Sequence, residues 1–540
     1  MAVSFTRPPY FRFRIEFRCE LEIFEPEASS KKTFLNLTRN AMQFPKQFLL
    51  TKTPTPEFPG WKTVKYLDWW LAHAPELSLI QVLDERGSTT GLIAGWVIWR
   101  GKVLGNGDTI RSKQQSNGIA SEYDELCGRF VYFFEYLNQL AVISDAGGLM
   151  SPVYSEERNI VASSPAVIRQ KGDLKKDERI CQAFVGYKSA VWYPFGTTPF
   201  QGLRRLLPNH RLTLSNWRAD RFFPVPAGEG LRGDPQVNLT AASASIAKWT
   251  RANLKALVDA GHNVAHLTGG FDSRMVLAAS HDFHRRMRFQ TVATSDPGNR
   301  LDCHIAERLA KRYGLNYRKI DFITPSKAEI DGWLERTGHC IEDTVSSFCT
   351  TARVHNSHCH EITGACGEVM RAAFWFSGDG QRKTLSADAL LRRYEIAINE
   401  TTLELAEQWM ATLPAGVSVG NLLDIAYLEL RLAGWAGASL YGHDIEHPSL
   451  SPFNSARIYR AVLSIPENLR EENQIAREFI QSMWPELLHH PVNRPQGLDK
   501  LRFLSQEFRE MLPTHVRKQI KRLINPWRNP NTSELDRFRS

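Results

Sequence analysis

Hydrophobic positions gather in short β-rich runs through the first 225 residues, at 91–100, 128–136, 139–144, 211–215 and, near the start, 11–17. Glycine and proline turns separate them. Short β-rich runs broken by such turns predict an antiparallel sheet unit. A stretch rich in Pro and Gly at 224–235 then interrupts all periodicity and predicts a linker.

Beyond it the texture changes. Residues 240–260 have helical spacing, 264–267 read as a short buried strand, 275–281 open a helix, and 289–294 form a further strand. Within 301–313, Ile305, Leu309 and Tyr313 recur four apart, and the run stops at Gly314, the residue favoured just past a helix. A strand follows at 317–322. This order predicts a parallel sheet with right-handed crossovers, followed by mainly helix from about residue 385. The chain of 540 residues is too long for one comfortable core, so we expect an α/β protein with one domain over 1–225 and another over 236–540.

The junction of strand and helix at 266–274 reads His-Leu-Thr-Gly-Gly-Phe-Asp-Ser-Arg. Gly269 and Gly270 allow a tight turn that brings backbone N–H groups to phosphate oxygens, and the following helix adds the positive end of its dipole. Leu267 leads into the turn, and Thr268 and Ser273 supply hydroxyls. Asp272 beside an anion is explained by a Mg²⁺ between carboxylate and phosphate. The alternative is a plain loop with Asp272 capping the helix. The Gly-Lys-Ser/Thr ending of the common P-loop is missing.

Composition narrows the class. Apolar residues make up 42% and charged residues 23%, ordinary for a globular protein. No run approaches the roughly 20 apolar residues that cross a bilayer, and Met1 to Ser4 lack a signal peptide's basic start, so a cytoplasmic protein without a transmembrane segment is expected. The net charge of +9 is concentrated towards the end, where Arg517, Lys518, Lys521, Arg522, Arg528, Arg537 and Arg539 read as a solvated helix face. No nucleic-acid partner is expected. Eight scattered cysteines suit a reducing compartment. Cys349, His355, His358, Cys359, His360 and Cys366 crowd one segment without the paired ligand spacing of structural zinc.

The segment 268–273 resembles the Ser-Gly-Gly-x-Asp-Ser loop of the ATP pyrophosphatases, with Thr268 in place of the first serine. Other segments, in the right order, extend the resemblance over nearly the whole chain to the asparagine synthetase family. They are Asp145, Gly148, Pro152 and Tyr154; Ala162 to Ser164; Thr198, Gly202 and Pro208; Asp302, Ile305 and Ala306; and Pro452 with Phe453. The resemblance implies an Ntn-hydrolase-like, glutaminase-like N-terminal domain and a C-terminal ATP pyrophosphatase domain of the adenine nucleotide α-hydrolase-like kind. The family's nucleophile is a cysteine at position 2. Here Ala2 stands there, and the nearest cysteine is Cys19, so a domain without glutaminase activity is implied.

Residues 362–371 resemble the family's second phosphate-side segment. The match implies that Thr363 and Gly364 touch nucleotide and that Glu368 shares Mg²⁺ with Asp272. Ala365 leaves vacant a position that carries glutamate in asparagine synthetases and tyrosine in β-lactam synthetases. Arg371 either meets phosphate or an acidic substrate, or pairs with Glu368. In the late segment, Gln496 falls at the family's lysine, with Arg494 or Lys500 as substitutes.

The function implied is ATP-dependent amide, lactam or macrolactam formation through an acyl-adenylate, releasing AMP and pyrophosphate. Relatives without the cysteine include β-lactam synthetases, lasso-peptide cyclases and polysaccharide-linked proteins. They imply carboxylate- and amine-bearing substrates, among them a peptide, a natural product or a glycan uronic acid, together with partner biosynthetic proteins. Tyr394 and Glu395 are candidate bases by residue type. The contrasting reading is a catalytically silent nucleotide-binding scaffold, since Ala2, Ala365 and Gln496 all depart from the family. A third, tRNA modification, would call for reactive cysteines near the loop and a basic domain.

Overall fold

The computed structural model describes residues 44–54, 58–112, 121–184, 191–226, 228–342, 346–356, 360–444 and 449–493. The predicted strand at 11–17, Ala2, Cys19, Arg494, Gln496, Lys500 and the basic tail lie outside them.

The N-terminal half holds two sheets, of six and eight strands, antiparallel except where Leu79–Leu83 runs parallel to Thr109–Arg111. The expected strands at 91–100, 128–136, 139–144 and 211–215 are present as Thr89–Trp99, Cys127–Tyr136, Gln139–Ser144 and His210–Thr213. Alternation explains the layering. In strand Phe48–Thr51, Phe48 and Leu50 join the core between the sheets, where the Phe48 ring meets Phe133 edge-on at 5.4 Å. Leu49 points the other way, into a second cluster with Ala166, Val167 and Ile168 of the helix Pro165–Arg169. That sheet is therefore covered on both faces.

The C-terminal half is built on a five-stranded, all-parallel sheet in the order Tyr317–Asp321, Arg288–Ala293, Val264–His266, Glu361–Ile362, Ser449–Leu450. Numbered along the chain, that order is third, second, first, fourth, fifth. The chain therefore reverses direction across the sheet between Val264–His266 and Glu361–Ile362. In open parallel sheets, ligands bind outside the carboxyl ends of the strands at such a reversal. Helix Pro297–Tyr313 ends at Gly314 with φ of 62°, as the sequence predicts. The late helical region includes an α-helix, Val419–Ala426, that continues as an 11-residue π-helix, Tyr427–Gly437.

One apolar core runs continuously across both halves. Buried polar contacts join them. Arg129 donates two hydrogen bonds to Asp444, and Asn454 donates to Asp145 at 2.7 Å. The Asp145 carboxylate also accepts the N–H groups of Leu149 and Met150. Gly148 and Gly437 let the two backbones approach, since a Cβ on Gly437 would lie 2.3 Å from the Gly148 carbonyl oxygen. The segment expected as a linker is not a loose tether. Asp234 N–H donates to the Ser464 carbonyl, Ser418 N–H donates to the Leu231 carbonyl, and a Cβ on Gly233 would meet Pro466 at 2.4 Å.

Candidate functional site

The two loops singled out by sequence leave neighbouring strands on either side of the reversal. The first follows Val264–His266 and the second follows Glu361–Ile362. They are in contact. A Cβ on Gly364 would sit 2.9 Å from the backbone of Asp272 and from Ser273 N, and one on Gly367 would sit 3.0 Å from Asp272 Oδ1. At Gly364, where the clash is with backbone, only glycine allows the loops to close, and at Gly367 a side chain would press on the Asp272 carboxylate.

Helix Phe271–Ala279 begins four residues earlier than predicted, so Asp272, Ser273 and Arg274 occupy its first turn. The polarity of this turn disguises it in the sequence, yet each residue has a partner. Ser273 Oγ accepts the Thr268 N–H at 3.0 Å, and the two hydroxyls are also 3.0 Å apart. Arg274, fully buried, donates to the carbonyls of His490 at 2.8 Å and Pro491 at 2.7 Å. Burial pulls its pKa down to about 10, which leaves it charged at neutral pH.

The glycines serve a different role from the one expected. Gly269 donates its N–H to Asp302 Oδ1, on helix Pro297–Tyr313, at 2.8 Å and Gly270 donates to Thr268 Oγ1 at 3.2 Å, so both amides have partners within the protein. The donors left for an anion belong to the helix. Its N-cap, Gly270, has no side chain to satisfy the first N–H groups. Leu267 N–H is used by the Gln290 carbonyl, and Asn493 N–H closes the loop from the late segment by donating to the Gly269 carbonyl at 3.1 Å. In the second loop, Thr363 N–H donates to the Leu450 carbonyl. Arg494 and Lys500 follow this late segment, outside the described residues.

Asp272 accepts from Arg371 Nε at 2.6 Å, with both side chains about one-fifth exposed. The ion pair considered for Arg371 is thus made with Asp272. Glu368 accepts a 2.6 Å hydrogen bond from the Tyr427 hydroxyl, at the start of the π-helix. Burial lifts the Glu368 pKa above its ordinary value, the charge of Asp272 adds to this, and Arg371 and Tyr427 oppose it. Burial and then Glu368 hold the Tyr427 phenol well above its usual range, so it acts as a donor. Sequence reading missed Tyr427. The available signal was its place in the apolar run 419–443, where the charges of Asp424, Glu429 and Arg431 are out of character.

Of the candidate bases, Tyr394 is committed to the Leu423 carbonyl at 2.5 Å, while Glu395 is exposed. Of the Cys and His residues crowded at 349–366, His358 and Cys359 lie outside the described residues, and among the described residues no three His, Cys, Asp or Glu side chains converge on a metal position. Cys127, Cys181, Cys303, Cys340 and Cys366 are free thiols, and among the described residues no helix is long and apolar enough to cross a membrane. A cavity of about 430 Å³ lies in the N-terminal half beside Tyr154, Glu157, Arg204 and Trp217, and none of the predicted site residues lines it.

No protein-family model matches the chain, and no curated protein matches its sequence.

Proposed function

We propose that the protein is an ATP-dependent, AMP-forming ligase resembling the asparagine synthetases, which adenylates a carboxylate and passes it to an amine without hydrolysing glutamine. The observation that carries this reading is the meeting of Asp272 and Glu368 at the reversal of a parallel sheet, one beside an uncapped helix N-terminus. The charge of Asp272 adds to the cost of ionising buried Glu368, and a cation near both offsets that cost.

These residues fit Mg²⁺. Two carboxylates with no third protein ligand suit an ion that retains waters and takes its remaining ligands from phosphate oxygens. Bound there, Mg²⁺ would neutralise charge on the departing pyrophosphate. The chain itself supplies the first-turn N–H groups of the helix for phosphate, Arg371 to balance Asp272, and Tyr427 to orient Glu368. The incoming amine requires a neutral nitrogen, and exposed Glu395 is the available acceptor of its proton by residue type. The expected products are an amide, lactam or macrolactam on a peptide, natural product or glycan uronic acid, made in the cytoplasm.

The test is to incubate the purified protein with MgATP and extract of its host, with Asp272→Ala as control, and to measure AMP and pyrophosphate. Formation by the unmutated protein alone supports the adenylating reaction. ATP binding without AMP above the control would transfer the assignment to a silent nucleotide-binding scaffold.

A further inference from the structure

The apolar run 419–443 and its end carry four charged side chains, and three have ion-pair partners. Asp424 pairs with Arg470 at 2.7 Å, Glu429 with Arg221 at 2.6 Å, and Asp444 with Arg129 at 2.8 Å. The fourth, Arg431, makes no ion pair or hydrogen bond among the described residues. Its guanidinium lies over two indole rings instead, 4.4 Å from the centroid of Trp435 and 5.2 Å from that of Trp192. Burial pulls its pKa down to about 10, so it is still charged at neutral pH.

The π-helix explains its orientation. With bonds from i to i+5 a turn holds more than four residues, so residues four apart lie nearly on one line along the helix. Tyr427, Arg431 and Trp435 form such a line. Residues 432–434 and 437 pack against the N-terminal half: Leu432 against Gly147, Ala433 against Gly148, Gly434 against Trp192 and Tyr193, and Gly437 against Gly148. Arg431 therefore lies one turn from Tyr427, whose hydroxyl holds Glu368. Its charged neighbours are Glu368 and Glu395, whereas Asp272 is matched by Arg371.

We propose that Arg431 binds the carboxylate of the acid substrate, clasped between Trp192 of the N-terminal half and Trp435. Indole rings on its faces leave the guanidinium N–H edges for a planar, two-oxygen acceptor, which is the geometry of a carboxylate. A recessed cation whose acidic neighbours, Glu368 and Glu395, make no ion pair or hydrogen bond with it is retained at a cost, and a visiting anion in contact offsets that cost. Phosphate is already provided for at the N-terminus of helix Phe271–Ala279. The assignment rests on the adenylation reading for the fate of the acid, while the binding itself can be measured independently. It also gives the N-terminal half a role in the site, through Trp192.

The experiment is phenylglyoxal modification of the full chain, with the rate at Arg431 followed by peptide mass spectrometry. Acetate, glutarate and glucuronate serve as carboxylate probes, chloride at equal ionic strength as a control, and MgATP as the phosphate probe. Arg431 is expected to react, and at least one carboxylate is expected to slow it about tenfold, with chloride and MgATP without effect. Failure to react, no protection by any carboxylate, or protection by MgATP in their place would each overturn the assignment. A parallel arm separates the two readings. Arg431→Gln is expected to bind MgATP with unchanged affinity while AMP release in host extract falls at least about tenfold, partly restored in Arg431→Lys. Unchanged AMP release in Arg431→Gln overturns the assignment. Absence of AMP from the unmutated protein counts against adenylation, and the protection experiment then decides Arg431 alone.

Discussion

Arg129 and Asp444 face each other through two hydrogen bonds of 2.8 and 2.9 Å, and neither side chain is reached by solvent. The pair joins a central strand of the N-terminal half to the end of the helical run that carries Tyr427 and Arg431. Removing one partner strands the other charge in the core. Arg129→Met is expected to lose about 3–5 kcal/mol of stability in urea unfolding, and Arg129→Met combined with Asp444→Leu to recover most of it. Equal losses in the single and double variants would show that the pair contributes little beyond packing.

Tyr427→Phe deletes the hydroxyl that steadies Glu368. Without that donor Glu368 holds its proton to higher pH, because burial and Asp272 already favour the protonated form. Mg²⁺-dependent ATP binding at pH 7 is expected to weaken by about tenfold and to recover as pH rises. Titration calorimetry at several pH values checks the slope, and a uniform loss at all pH would argue for misfolding of the π-helix.

Gly364→Ala puts a methyl carbon where the backbone of Asp272 already lies within 2.9 Å. The two loops must separate. The expected result is a loss of about 1–3 kcal/mol in stability and at least tenfold weaker MgATP binding. Gly261→Ala, at a position with open space around it but a φ of 91°, should cost stability through backbone strain alone and leave the nucleotide affinity intact.

Burial raises the Asp302 carboxyl to about 6, although the Gly269 N–H pulls in the opposite direction. The folded chain then holds a proton that the unfolded chain has released between about pH 4 and 6, so stability from this group falls as pH rises through that window. Asp302→Asn preserves an acceptor oxygen for Gly269 and removes the titration. It is expected to gain on the order of 2 kcal/mol at pH 7 and to lose the slope below pH 6 in thermal unfolding. An unchanged slope would place the titration elsewhere.

The sequence made visible what depends on local pattern. Ile305, Leu309 and Gly314 mark a helix and its end without outside help, and the run at 264–267 reads as a short buried strand, present as Val264–His266. Asp272 and Glu368 were named from the motifs that carry them, and the structure brings their loops together. What stayed hidden depends on distant partners. The first turn of helix Phe271–Ala279 looks like loop because Arg274 is polar, yet its guanidinium is satisfied by carbonyls more than 200 residues away. Gly269 and Gly270 suggested phosphate donors, but Asp302 and Thr268 take their amides. The π-helix leaves no mark in residue spacing. Arg431 became conspicuous only once its three charged neighbours along the run were seen to have partners.

The hydrogen bond from Asn454 to Asp145 links positions 309 apart in the chain. At 5–20 residues per second, a ribosome takes roughly 15–60 s to make the donor after it has made the acceptor. During that interval the loop at Asp145 lacks the surface it docks on, and Arg129 lacks its counter-ion. The first half of the protein must therefore wait for the second before its core is complete, and a nascent chain halted before residue 454 is one for chaperones to hold.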